Sequence, residues 1–548
     1  MRKECRPLVI VVLGALLMGS AGEARPPQTR ALWVDYDFKD IPEPKVRPGG
    51  FYTEFFQSEF SGSWQRSTDI PRLVRSITGK PEQASNVNAW DEVPDSSWFT
   101  NRHALRPMNV DELARGPNRG APPDFSQATI TKTKHGGVTP GLQITDRNGQ
   151  AYLIKFDHRD YPELQSGAEV ISTKILFAAG YNVPENYIAI VDPDRLEIAA
   201  GLEVGQGSSR RPFTRQDLSL MLDSAARRPD GTYRVLASRI LSGKPKGPFS
   251  FTGMRGDDPN DWIPHERRRE LRGLRVIASW INHWDIKEDN TLDMYVEEGG
   301  RRFLRHYLLD FGCTLGGSDR PTDAYHGREY AFDQGNILKE IVTLGIYQTP
   351  AEQKTSVVDP SVGLFSADDF DPGSWIPSFH TAPFADMTRE DAFWATRIVL
   401  SFSEADLRAI VDTAEYSDPD AGNFIFLTLL RRQRMLAAYW LGRVNPIAYF
   451  AVEPRADGVS VTFVDLMARL NGGSAEYRYV LTAADRSCGV NPESFVTTGA
   501  SRVPLGTCVA GETCIHISTH SGPATRPVTV CVRDRGGGNY RIERIERL

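Results

Sequence analysis

The stretch HWDIKEDN places His283, Asp285, Lys287 and Asn290 at intervals of two, two and three residues, where an apolar helical run gives way to a loop. Twenty residues beyond Asn290, at the far end of a strand–turn–strand pattern, stands Asp310-Phe311-Gly312. Upstream, Gly136 and Gly137 lie in a loop between two strand-like runs, Lys155 in the next run, and Glu169 in the helical segment after it. The chemistry open to such residues is specific. A carboxylate accepts a proton or holds a metal, and an amide oxygen holds a metal without repelling an anion. Lysines neutralise anionic oxygens, and glycines let backbone approach a ligand closely.

The elements that must position these groups are legible as periodicity. ATITKTK, LQITD and QAYLIKFD alternate as strands, with RNG as a hairpin turn. A helix follows, with Pro162 suited to its first turn, Val170, Ile171, Ile175, Leu176 and Ala179 as its apolar stripe, and Gly180 as its stop. NYIAIVD and YRVLASRIL read as further strands, which together make a small antiparallel sheet with one helix. From about 264 the pattern is helical, with Leu271, Leu274, Ile277, Ile281 and Trp284 on one face. TLDMYV and RRFLRHYLLDFG flank the turn EEGG as a hairpin, and helices then run to about 445. The basic run HERRRELRGLR is expected to be a solvated helix face.

The order of these parts resembles the protein kinase catalytic core. H-x-D-x-K-x-x-N followed by a hairpin and DFG carries the resemblance, with Lys155 in a third strand and Glu169 in the next helix. The resemblance implies an α+β, two-lobed protein-kinase-like fold over about 128 to 445 that binds ATP and Mg2+. Phosphoryl transfer is mostly positioning and charge neutralisation. On that reading Asp310 and Asn290 hold metal, and Asp285 accepts or orients the proton of an attacking hydroxyl. Lys287 neutralises the transferred group, and Lys155 binds phosphates, held by Glu169 or, alternatively, Glu163. Gly136 and Gly137 approach the phosphates, while His283 and Phe311 are structural. The chain departs from the regulatory kinases in three places: Trp284 replaces the arginine of H-R-D, the glycine loop is not G-x-G-x-x-G, and Ala382-Pro383-Phe384 is the nearest string to A-P-E. GAEVISTKILFAAGYNVPENYIA and RRELRG lie closer to atypical kinases of the HipA and CotH type.

The flanks complete the organisation. Residues 1–24 have a basic start, an apolar stretch and small residues suited to cleavage, as in a signal peptide, so the mature chain is expected to be periplasmic or secreted without a transmembrane anchor. Residues 25–127, rich in Pro, Gly and aromatics, read as a segment that wraps the next domain and pins itself with Trp90 and Trp98. The expected units are then 128–263 as N-lobe, 264–445 as helical C-lobe and 446–548 as an all-β, sandwich-like domain. Cys488, Cys508, Cys514 and Cys531 crowd into that last unit and predict two disulfides in one of three pairings, with a zinc site as the competing idea. Cys313 lies apart from them and is expected to be a buried thiol. The net charge of −6 gives no overall attraction to nucleic acid. The functions that follow are an exported phosphotransferase acting on a protein or small-molecule hydroxyl at the cell envelope, or a non-catalytic nucleotide-binding scaffold. Hydrolysis by paired Asp285 and Asp310 ranks last, because it has no need of Lys155 or Asn290.

Overall fold

The computed structural model describes residues 37–48, 81–133, 141–205, 210–318, 327–330, 339, 342–343, 359–455, 458–483, 496–506, 511–519, 526–536 and 538–547. Residues 1–24, Gly136, Gly137, Cys488 and Cys508 lie outside them.

Helix α1 (Val110–Arg115) opens with an Asn109–Glu112 capping box and leads into the sheet. Strands β1 (Ala128–Thr133), β2 (Gly141–Thr145) and β3 (Ala151–Phe156) form where alternation predicts them. On β3, Tyr152, Ile154 and Phe156 enter the core while Lys155 lies on the half-buried face. Helix α2 (Leu164–Ala179) follows, and Pro162 precedes it rather than sitting in its first turn. The reason is a cap supplied from the strand: Asp157, one residue past β3, accepts the N–H groups of Gln165 and Ser166 at 3.0 and 2.9 Å. Gly180 stops the helix at φ +127°, where a Cβ would lie 2.2 Å from the Phe99 ring.

Next come β4 (Asn186–Val191), β5 (Leu196–Ile198), the small ladder β6 (Glu203–Val204) with β7 (Arg211–Pro212), helix α3 (Arg215–Leu222) and β8 (Tyr233–Arg239). The sheet has six strands in the order β4-β8-β3-β2-β1-β5. It is larger than the small antiparallel sheet expected, and β5 joins its edge parallel to β1. The β4–β5 connection carries the chain to the far edge, a long-range pairing that no local pattern encodes.

Strand β9 (Lys244–Pro245) leads to helix α4 (Arg269–Ile281), then the hairpin β10 (Thr291–Glu298) and β11 (Arg301–Leu308). Helix α4 buries Leu271, Leu274, Ile277 and Ile281, but it ends at Asn282 in the left-handed region (φ 52°), so Trp284 is past the helix and not on its stripe. Most of the basic run is not solvated, although Arg267 is half exposed. Arg268, Arg269 and Arg272 are at most 1% exposed. Arg269 bonds Asp91 and Asp391 at 2.7 and 3.0 Å, Arg272 reaches Asp391 at 3.3 Å, and Arg268 faces Asp261 and Glu270. Burial of guanidinium groups is tolerable only with such partners; those of Arg268 are local, whereas Asp91 and Asp391 come from distant parts of the chain.

Helices α5 (Ala382–Ala385), α6 (Arg389–Ser401), α7 (Glu404–Asp412) and α8 (Pro419–Leu441) pack around α4 and share one core with it. The APF string is the short α5, with Phe384 buried. Gly273 of α4 allows the close approach of α6, since a Cβ there would meet Trp394 at 2.9 Å. Beyond them lie β12 (Ile447–Arg455), β13 (Gly458–Asp465), α9 (Leu466–Asn471), β14 (Tyr477–Ala483), β15 (Val496–Thr498), β16 (Arg502–Gly506), β17 (Glu512–Thr519), β18 (Val528–Asp534) and β19 (Tyr540–Arg547). They form sheets of three and five strands that share one hydrophobic core.

Cys514 and Cys531, paired across β17 and β18, form a disulfide. That bond removes these two thiols from any zinc site. Cys313 is outside a disulfide and is half-buried rather than buried. In the leading segment Trp98 is buried, stacked on His306 with the Arg268 guanidinium 4.6 Å from its ring. Trp90 is 53% exposed and instead donates its ring N–H to the Ile542 carbonyl in β19.

Candidate active site

Strand β3 and helix α2 bring Lys155 and Glu169 face to face, and the turn after β11 brings Asp310 to the same point. The Lys155 ammonium donates to Glu169 Oε2 at 3.0 Å, to Glu169 Oε1 at 3.3 Å and to Asp310 Oδ1 at 2.8 Å. Burial alone would lower the lysine's pKa, but the charges of Asp310 and Glu169 and their hydrogen bonds more than offset it and hold the group protonated above its ordinary value. The two acids differ in access. The Glu169 side chain is 3% exposed and the Asp310 side chain 48%, so Glu169 is the fixed anchor and Asp310 the acid that can reach a ligand. Glu163 is not the partner of Lys155, because it faces Arg234 at 3.6 Å and accepts the Ser417 N–H.

The second group sits on the loop after α4. Lys287 Nζ pairs with both oxygens of Asp285 at 2.9 and 3.0 Å, and the Asn290 amide donates to the Asp285 carbonyl and to its Oδ2 at 2.8 and 3.1 Å. Burial raises the Asp285 pKa, the Lys287 ammonium opposes it, and the nearby Asp310 charge adds to the rise. Lys287 is likewise held above its ordinary value: burial opposes, and the charges of Asp285, Cys313 and Asp310 prevail. Asp310 is thus felt by both groups. The Leu309 N–H bonds the Asn290 carbonyl at 2.9 Å, which ties the loop to the strand end carrying Asp310. Asp310 itself adopts φ +60°, which turns the chain sharply there.

A small cleft opens at this point, lined by Lys155, Asp157, Gln165, Glu169, Asp310 and Gly312 among others. Its donor set suits a magnesium nucleotide. The lysine can meet phosphate oxygens, the accessible Asp310 carboxylate can meet a hard divalent cation, and Asn290 offers a neutral amide nearby.

His283 and Phe311 are both buried, with rings edge-to-face 5.7 Å apart. Burial pushes the His283 pKa down to about 4, against a backbone hydrogen bond with Cys313 and the Asp310 charge. Below pH 6.5 the unfolded chain takes up a proton at this residue that the native state refuses until about pH 4. The stabilising contribution is therefore complete above pH 6.5 and is lost as pH falls towards 4, a difference of about 3 kcal/mol. Urea unfolding across that window should show a shallower loss of stability in His283→Asn than in the wild type, and parallel curves would refute the assignment.

Three residues outside the sequence-derived set hold the loop. Glu288 Oε1 accepts the Ser250 hydroxyl and the Phe251 N–H at 2.8 and 2.7 Å. Trp375 donates its ring N–H to Asn282 Oδ1 at 2.9 Å. Phe379 places its ring 5.2 Å from Lys287 Nζ. Glu288 lies inside the motif and could have been weighed from it. The two aromatics fall in SWIPSFH, which carries no local signal for a contact nearly a hundred residues back.

No protein-family model and no curated protein matches the chain. Among solved structures, the Helicobacter pylori proinflammatory kinase CtkA aligns over 59% of this chain and 99% of its own, with 13% identity and a TM-score of 0.31. The Golgi casein kinase with Mn and ADP bound aligns over 74% and 94%, with 12% identity and a TM-score of 0.31. A second structure of the Golgi casein kinase covers 60% and 73%, with 13% identity and the same TM-score. At that score a likeness decides nothing, and the functional reading rests on side-chain geometry.

Proposed function

We propose that the chain is an exported, kinase-like phosphotransferase of the atypical HipA/CotH type, which moves a phosphoryl group from Mg2+–ATP to a hydroxyl of a protein or small molecule. The observation that carries this reading is Lys155 bridged to Glu169 and Asp310, with Asp285 and Lys287 under the Asp310 charge and Asn290 bonded to the neighbouring Leu309 N–H. Bound Mg2+–ATP supplies the activated phosphoryl group. Lys155, anchored by Glu169, orients the phosphate chain. Asp310 and Asn290 hold the cation. Asp285 orients the acceptor hydroxyl and takes its proton, aided by a raised proton affinity, and Lys287 neutralises the group in transit.

Residues 128–263 and 264–445 serve as the two lobes, 25–127 as the wrapping segment and 446–548 as an appended β unit. Export is supported by residues 1–24 and by the Cys514–Cys531 disulfide, and among the described residues no helix is long and apolar enough to cross a membrane. The test is calorimetric titration of the purified chain with ATP and Mg2+. Saturable binding is expected, weakened about 10- to 100-fold by Lys155→Ala, since the lysine would donate charged hydrogen bonds to the ligand. Absence of binding, or binding unchanged by the substitution, overturns the proposal.

A further inference from the structure

The segment from Gly373 to Phe379 follows the end of α4 and the loop after it, contact by contact. Arg275 of α4 donates to the Gly373 and Trp375 carbonyls, both at 3.2 Å. Trp375 bonds the Asn282 cap, the Ser378 N–H donates to the Trp284 carbonyl at 2.8 Å, and Phe379 lies against Lys287. The segment is itself braced, since the Ile376 N–H donates to Gly327 and the His380 ring stacks on Tyr330 at 3.6 Å.

Lysine has a flexible four-carbon stem, and here Nζ meets both oxygens of Asp285 with its side chain 20% exposed. An aromatic face 5.2 Å away is a second, directional attraction for the cation. We propose that Phe379 is a positioning residue of the phosphotransfer site, holding the Lys287 ammonium over Asp285 through its ring. This rests on the phosphotransferase reading for its effect on rate, but not for the contact itself. A packing role is the alternative, and the two differ in chemistry: leucine replaces the bulk of the ring, whereas only an aromatic side chain replaces its negative face.

Two measurements decide between them. In transfer assays, Phe379→Leu should lower kcat about 5- to 30-fold, as expected of a partly desolvated cation–ring contact, with KM for the nucleotide within about twofold of wild type. Phe379→Tyr should restore kcat to within about threefold. In urea unfolding, Phe379→Leu, Lys287→Met and the double variant form a cycle, in which the pair should couple by about 3- to 30-fold in the folding constant. The proposal is overturned by a Phe379→Leu kcat within twofold of wild type, by equal losses in the leucine and tyrosine variants, or by an unfolding cycle without coupling. If the wild type transfers no phosphoryl group, the phosphotransferase reading fails, and the unfolding cycle still decides whether Phe379 holds Lys287.

Discussion

Replacing Asp310 by Asn should lower the phosphoryl-transfer rate by at least about 10³-fold, the scale on which a group that neutralises charge on the transferred phosphate acts. The substitution keeps shape and removes only charge. Asn tolerates the left-handed backbone that Asp310 adopts, so the turn after β11 should persist. Lys155 retains Glu169, which is buried and bonded through both oxygens, so the β3–α2 contact should also survive. The lost charge falls on the one acid among the described cleft residues that is half open to solvent. A melting temperature close to wild type with a collapsed rate is the expected pattern. A rate within tenfold of wild type would remove Asp310 from the chemistry.

The second large effect is on stability. Asp391, wholly buried near the start of α6, accepts from Arg269 and Arg272 while its other role is to cap its own helix by accepting the Thr388 N–H at 3.0 Å. Asp391→Ala removes one half of the capping box, leaving the Thr388 hydroxyl on the residue-391 N–H, and leaves two buried guanidinium groups short of a counter-charge. Arg272 keeps the Glu266 and Glu82 carbonyls, and Arg269 keeps Asp91, so the loss is partial rather than complete. A destabilisation of about 3–5 kcal/mol is expected, the cost of breaking a buried ion pair from one side. Equilibrium urea unfolding measures it, and a loss below about 1 kcal/mol would show that water reaches these arginines in place of the carboxylate. The consequence for function is direct, because α4 carries these arginines at one end and the Asp285 loop at the other.

The local pieces of this site were legible because each obeys a short-range rule. Strand alternation put Lys155 opposite the core-facing Tyr152, Ile154 and Phe156 of β3, and the 3.6-residue period found α4, although it carried the stripe to Trp284, past the cap at Asn282. The motif spacing also drew Asp285, Lys287 and Asn290 together, since five residues of loop can close on themselves without outside help. Most of what failed depended on partners far along the chain, whereas Pro162 and Trp284 were displaced by local caps at Asp157 and Asn282. The arginines of α4 look solvated until Asp91 and Asp391 arrive from 178 and 122 positions away. The parallel pairing of β5 with β1, the exposure of Trp90 and the contact of Phe379 with Lys287 share that cause: each is a tertiary choice that local pattern does not encode. Glu169 was the first choice on sequence and Glu163 the alternative, and the α2 geometry separates them by burying the first beside Lys155 and turning the second to Arg234.

The central claim is most directly tested by incubating the purified chain with γ-labelled ATP and Mg2+ and following label onto protein and small-molecule hydroxyls, the chain itself included. Label attached by the wild type and absent with Asp310→Asn is the predicted result. No labelled acceptor with the wild type, or equal labelling by both proteins, would contradict it.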